Sequence, residues 1–200
     1  NGVLASFQTT EPDNCGDDVL DVADGNNIVL GGFGNDSVTT GTGSDIVVGD
    51  NGQVTYTPNT TRLLQAKTTS PTLGGNDTIT AGAGDNLILG GKGSDTVTAL
   101  GGVYLVIGDN GQIDWTTAGV FQQIQTVLHA EGAADTINVS DGDNTVLAGE
   151  GADSITAGTG ADWIIGDNGS ILFSGATVGN VAVKLESTDF VDQPLWNDTI

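Results

Sequence analysis

Two hundred residues could make one or two ordinary domains, but 32 glycines and only 5% aromatic residues leave little material for a conventional globular core. The 26 acidic residues face four basic ones, Arg62, Lys67, Lys92 and Lys184, so a formal charge of −22 repels itself in any compact state that takes up no cations. Such acidity argues against nucleic acid and anionic membrane surfaces as partners. No apolar run approaches the roughly 18 residues of a membrane-spanning helix, and Asn1 does not open a signal segment. The lone Cys15 cannot build an internal disulfide framework. Disorder is the competing reading of high charge, but 37% hydrophobic residues at regular spacing speak against it.

The tetrapeptide Gly-Asp-Asn-Gly begins at Gly49, Gly108 and Gly166, at spacings of 59 and 58 residues, which marks a tandem array. In chain order, residues 1–12 read as the tail of a preceding unit, 13–71, 72–129 and 130–192 as three repeat units, and 193–200 as the start of another. Asn197-Asp198-Thr199-Ile200 repeats Asn76-Asp77-Thr78-Ile79, so both ends look cut from a longer chain.

Each unit opens with four nonapeptides. Counted in nines from residues 13, 72 and 130, the sixth position reads Asp18, Asn27, Asp36, Asp45; then Asp77, Asn86, Asp95, Tyr104; then Asp135, Asn144, Asp153, Asp162. The eighth reads Leu20, Val29, Val38, Val47; Ile79, Ile88, Val97, Val106; Ile137, Val146, Ile155, Ile164. A column of β-branched residues and Leu requires one inward side chain per strand, stacked coil on coil. The glycines supply the positive φ angles of tight turns between the strands.

Residues 31–39, Gly-Gly-Phe-Gly-Asn-Asp-Ser-Val-Thr, and 90–98, Gly-Gly-Lys-Gly-Ser-Asp-Thr-Val-Thr, match the pattern Gly-Gly-x-Gly-x-Asp-x-U-x, where U is a large aliphatic residue. About three-quarters of the chain thereby resembles the RTX calcium-binding nonapeptide repeats. The resemblance implies an all-β fold, a right-handed parallel β-roll or β-solenoid with two nonads per coil and Ca²⁺ held between turns stacked on one edge. Turn glycines such as Gly32, Gly34, Gly91, Gly93, Gly149 and Gly151 would then offer carbonyls, and the sixth-position side chains carboxylates, to a hard cation that wants six to eight oxygens. Asp18 would work with Asp36, Asp77 with Asp95, and Asp135 with Asp153. On the other edge Asn27 would face Asp45 and Asn144 would face Asp162, in weaker sites unless Asp24, Asp141 or Asp143 contribute. Tyr104 in place of an acid, with Leu100 in its loop, speaks against an ion there. One further site per unit at Asp50, Asp109 and Asp167 would bring the total to about eight ions.

A fifth, altered nonad closes each unit, and an aromatic residue follows it, Tyr56, Trp115 or Phe173. Five strands would leave the next unit half a coil out of phase, so a sixth is expected at residues 63–68, 121–128 and 181–186. That gives about three coils per unit of ~58 residues. Outward positions of odd nonads are polar: Ser37/Thr39, Thr78/Thr80, Thr96/Thr98, Thr136/Asn138 and Ser154/Thr156. Those of even nonads are apolar: Ile28/Leu30, Ile46/Val48, Leu87/Leu89, Leu105/Ile107 and Trp163/Ile165. One sheet should be wet. The other should be covered, by the inter-unit segments or by lateral self-association with a second roll.

No enzyme site is expected. His129 has no second metal-binding or triad partner, and the repetition of carboxylates indicates ion binding rather than one acid/base pair. The leading expectation is a calcium-stabilised structural segment of a giant secreted adhesin, extracellular-matrix or filament protein. The alternatives are an RTX secretion and folding module of an extracellular protease, lipase or toxin, and an ice-binding solenoid acting through its Thr-rich face.

Overall fold

The computed structural model describes residues 2–14, 16–174 and 181–187, and these form only strands and turns. The first group comprises β1 (Ser6–Gln8), β2 (Val19–Val22), β3 (Ile28–Leu30), β4 (Ser37–Thr40), β5 (Ile46–Val48), β6 (Gly52–Tyr56) and β7 (Leu63–Thr68). The second comprises β8 (Thr78–Ala81), β9 (Asn86–Leu89), β10 (Thr96–Ala99), β11 (Tyr104–Ile107), β12 (Gly111–Trp115) and β13 (Phe121–Thr126). The third comprises β14 (Thr136–Val139), β15 (Thr145–Leu147), β16 (Ser154–Ala157), β17 (Trp163–Ile165), β18 (Gly169–Ser174) and β19 (Val181–Ser187). Cys15 and residues 193–200 lie outside the described residues.

The odd nonads stack as one parallel sheet, β2-β4-β8-β10-β14-β16, and the even nonads as a second, β3-β5-β9-β11-β15-β17. Register is kept through the unit boundaries, with Val38 beside Ile79 and Val97 beside Ile137. The eighth-position column therefore lies between the two sheets. Val38, Val47, Ile79, Ile88, Val97, Val106, Ile137, Val146 and Ile155 are buried there in one cluster.

Glycine is needed in the turns for two separate reasons. Gly32, Gly91 and Gly149 have φ of 113°, 116° and 117°, which side chains on L-residues strongly disfavour. At Gly34, a Cβ would collide with the carbonyl oxygen of Gly16 in the adjacent coil.

The expected third coil per unit is not formed. Strands lie where a sixth was expected, at Leu63–Thr68, Phe121–Thr126 and Val181–Ser187. Each, however, folds back antiparallel on the strand before it, β6 on β7, β12 on β13 and β18 on β19. These hairpins join edge to edge, with β1 at one end, in a seven-stranded sheet ordered β1-β6-β7-β12-β13-β18-β19. A unit thus contributes four roll strands, two whole coils, so no half-coil offset arises and no sixth roll strand is needed to correct it.

Alternation explains why the hairpins leave the roll. Each puts one face of Val54, Ala66, Ile113, Ile124 and Ile171 against the apolar sheet, where all five are buried beside Val48, Leu89, Ile107 and Leu147. Of the ten apolar outward residues, Val48, Leu87, Leu89, Ile107 and Ile165 are buried and Ile28, Leu30, Ile46, Leu105 and Trp163 are half-buried. The chain's own hairpins cover much of this face. Trp115, Phe121, Trp163 and Phe173 pack together at its margin, with ring centroids 4.6–6.5 Å apart. The opposite sheet presents its outward Ser and Thr residues to solvent, fully or in part, while Thr40 at the end of β4 is buried.

Truncating Ile113 removes apolar contacts between hairpin and roll that cannot close up. Ile113→Ala should lower unfolding free energy in saturating calcium by about 2–5 kcal/mol, measured by denaturant titration. Thr80→Ala on the wet sheet should stay within about 0.5 kcal/mol of the parent.

Candidate metal centre

Because each coil lies one strand spacing from the next, the sixth-position side chains of odd nonads form a continuous column along one edge. The main-chain N–H of Asp18 donates to Asp36 Oδ1 (2.7 Å), that of Asp36 to Asp77 Oδ1 (2.7 Å) and that of Asp77 to Asp95 Oδ1 (2.7 Å). The series continues from Asp95 to Asp135 (2.7 Å) and from Asp135 to Asp153 (2.8 Å). The three pairings expected within units are present. Two more, Asp36 with Asp77 and Asp95 with Asp135, cross the unit boundaries, where the expected third coil would have kept them apart.

Each rung uses Oδ1. The other oxygens, Oδ2 of Asp36, Asp77, Asp95 and Asp135, are buried and accept no hydrogen bond. They face main-chain oxygens rather than donors. A Cβ placed on Gly31 would collide with both Asp36 Oδ2 and the Gly49 carbonyl oxygen, and one on Gly49 with Asp77 Oδ2 and the Gly90 carbonyl. The same holds at Gly90, with Asp95 Oδ2 and the Gly108 carbonyl, and at Gly108, with Asp135 Oδ2 and the Ala148 carbonyl.

Buried acceptors converging with no hydrogen between them are costly unless a cation joins them. The oxygens are hard and mixed, carboxylate with carbonyl, a donor set that fits Ca²⁺. Among the described residues no three His, Cys, Asp or Glu side chains group around one point, so any ion here would depend on main-chain carbonyls for much of its shell.

The fifth-nonad acids join the same edge. Asp50 accepts N–H bonds from Gly75 (3.0 Å) and Lys92, tying one unit to two turns of the next. Asp109 does the same with Ala133 (3.2 Å) and Glu150. Burial, and secondarily the Asp77 charge, pushes Asp50 up to about 8; burial and the Asp36 charge push Asp77 up to about 7. Burial also raises Asp36, Asp95, Asp109 and Asp135, with added repulsion from neighbouring aspartates.

The opposite edge is built differently. Its column runs Asn27, Asp45, Asn86, Tyr104, Asn144, Asp162, and it too is linked through backbone N–H groups. Asn27 donates to Asp45 Oδ1 (2.9 Å), Asp45 to Asn86 Oδ1 (2.7 Å), Tyr104 to Asn144 Oδ1 (3.2 Å) and Asn144 to Asp162 Oδ1 (2.9 Å). Tyr104 is fully buried, and its hydroxyl lies 2.9 Å from the Gly82 carbonyl and 2.8 Å from the Gly101 N–H. The phenol fills the turn in which no ion was expected.

Asp24, Asp141 and Asp143, considered as helpers, instead cap the next coil. They accept the N–H groups of Thr42 (2.7 Å), Thr159 (2.7 Å) and Ala161 (2.9 Å). Those bonds to Thr42 and Thr159 hold Asp24 and Asp141 below the usual carboxylate range.

One column escaped sequence reasoning. Asp17, Asn35 and Asn76, at the fifth position, accept the N–H groups of Asn35, Asn76 and Ser94 in the next coil at 2.8–2.9 Å. The recurrence of Asp or Asn one place before the sixth-position acid was its signal.

A family model described as the RTX calcium-binding nonapeptide repeat (4 copies) matches residues 21–55, 72–103 and 138–170, half of the chain. No curated protein and no solved structure gives a significant match.

The raised carboxyls fix the sign of a pH effect. In calcium-free buffer the folded roll holds protons that the unfolded chain has released, so its stability should fall as pH rises from about 4 through 7–8. With calcium the trend should reverse, since the cation competes with protons for the same oxygens. Melting temperatures at pH 5 and pH 8, with and without calcium, check both slopes.

Proposed function

The chain belongs to the RTX calcium-binding nonapeptide repeat family, and on that premise we propose that it is a calcium-stiffened structural segment of a large secreted adhesin, matrix or filament protein. The observation that carries this reading is the aspartate column, which passes through both unit boundaries without a break. Units joined in that way extend one rod. Each would add two coils, about 10 Å at the ~4.8 Å spacing of neighbouring strands. Proteins with such repeats are typically secreted, and extracellular calcium would fold the segment after export, since the metal-free chain carries −22.

The role is mechanical rather than catalytic. A secretion and folding module attached to an enzyme would use the same calcium chemistry; the two-coil unit repeated along the chain favours the spacer.

A second reading has its own observation. On the wet sheet Ser37, Thr78, Thr96, Thr136 and Ser154 lie side by side, as do Thr39, Thr80, Thr98, Asn138 and Thr156. Such ranks suit an ice-binding face, and thermal hysteresis in calcium is its test.

For the leading reading, circular dichroism should show the β signal lost in excess chelator and restored by calcium. Asp95, shared by two rungs, should matter more than Asp141, which caps a turn in solvent. Asp95→Ala should raise the calcium midpoint of folding by about tenfold or more, and Asp141→Ala by less than about twofold. Full β structure and an unchanged melting temperature without calcium would refute the calcium-stabilised reading.

A further inference from the structure

The two edges of the roll carry the same stacked turns, yet the atoms that end their sixth-position side chains differ in one respect. On the aspartate edge the inner atom is an oxygen without a hydrogen. On the opposite edge it is, at most levels, a donor already bonded to the turn. Asn27 Nδ2 donates to the carbonyls of Ala23 (3.0 Å) and Gly25 (3.1 Å), four and two residues before it. Asn144 Nδ2 donates at the same offsets to Ser140 (3.0 Å) and Gly142 (3.0 Å). Asn86 Nδ2 donates to Gly82 (2.9 Å), and the Tyr104 hydroxyl donates to the Gly82 carbonyl (2.9 Å) while accepting the Gly101 N–H (2.8 Å). The amide orientations follow from the network. Asn86 Oδ1 and Asn144 Oδ1 accept main-chain N–H groups, which leaves each Nδ2 to face the turn.

We infer that this protein binds its calcium on one edge only, and that the Asn and Tyr side chains of the other edge take the metal's place by donating hydrogen bonds to the turn carbonyls. The inference rests on the calcium reading above and deepens it. An amide differs from a carboxylate mainly in replacing one oxygen with NH₂, so the same turn geometry is satisfied by two N–H hydrogens without a cation. Every step along the second column includes at least one Asn or Tyr. Asp45 keeps a buried, unpartnered Oδ2, but Asn27 Nδ2 already donates to its Oδ1 (3.0 Å) and its next neighbour is the neutral Asn86. The first column has five steps, each between two aspartates. Asp50 and Asp109 also accept N–H bonds from turns on that edge. Five ions, rather than about eight, should therefore load, and the expected weak sites beside Asn27 and Asn144 should be absent.

Native mass spectrometry of the folded chain in saturating calcium counts the ions directly, with circular dichroism confirming the fold of each variant. The parent should carry five. Asp45→Asn should leave that number unchanged, whereas the isosteric Asp77→Asn, which breaks two steps, should lower it. Asn86→Asp, which gives Asp45 a charged neighbour, should add an ion. A parent count of eight or more, or loss of an ion on Asp45→Asn, would overturn the one-edge assignment while leaving calcium stabilisation intact. A folded parent carrying none would overturn the calcium reading and this inference with it.

Discussion

Repulsion between stacked aspartates is the constraint around which the roll is organised. Strand spacing sets neighbouring turns about 5 Å apart, and two unit charges at that distance repel by roughly 3 kcal/mol at an effective dielectric constant of 20. Across five successive steps this reaches the whole net stability of an ordinary domain, about 5–15 kcal/mol. The backbone N–H of the preceding coil satisfies only one oxygen of each carboxylate. Burial first, and the neighbouring charge after it, push Asp50 and Asp77 up to about 8 and 7, so proton uptake relieves part of the remainder in the metal-free state. A divalent ion relieves it at neutral pH and binds neighbouring coils together as it does so.

The hairpins answer a different need. A two-sheet roll with an apolar outer surface on one sheet would expose a long hydrophobic strip. Each unit leaves the roll after two coils and lays an antiparallel pair over that strip, and after the first and second units the chain re-enters in register. Two buried layers result, one between the parallel sheets and one beneath the hairpins. Because four roll strands make whole coils, the excursions leave both turn columns unbroken. Asp50 and Asp109 sit where the chain departs, and each grips turns of the following unit.

The edges also show how one repeat pattern can support two chemistries. A carboxylate at the sixth position leaves turn carbonyls and an orphan oxygen facing one another. An amide at the same place supplies hydrogens and closes the turn by itself. Tyr104 achieves this from a longer side chain, which explains how a bulky residue is accepted in a column of short ones.

Periodicity by itself determined the nonads, the inward column from Leu20 to Ile164, the glycine turns, the unequal faces and the within-unit aspartate pairs, because each follows from a fixed repeat on a stacked strand. It also located the strand at residues 63–68, since alternation and turn residues are local signals. Tertiary structure decided where that strand goes. Strand pairing is set by which apolar face lacks a partner, and Val54, Ala66 and Ile113 found theirs on the outer sheet rather than in a third coil. That choice alone brought Asp36 beside Asp77 and Asp95 beside Asp135. It likewise took the three-dimensional turn to separate Asn27 and Asn144 from their aspartate counterparts. In sequence an amide still offers an oxygen to a metal; in the fold the Asn144 oxygen accepts a backbone N–H, and the nitrogens of Asn27 and Asn144 donate to the turn carbonyls.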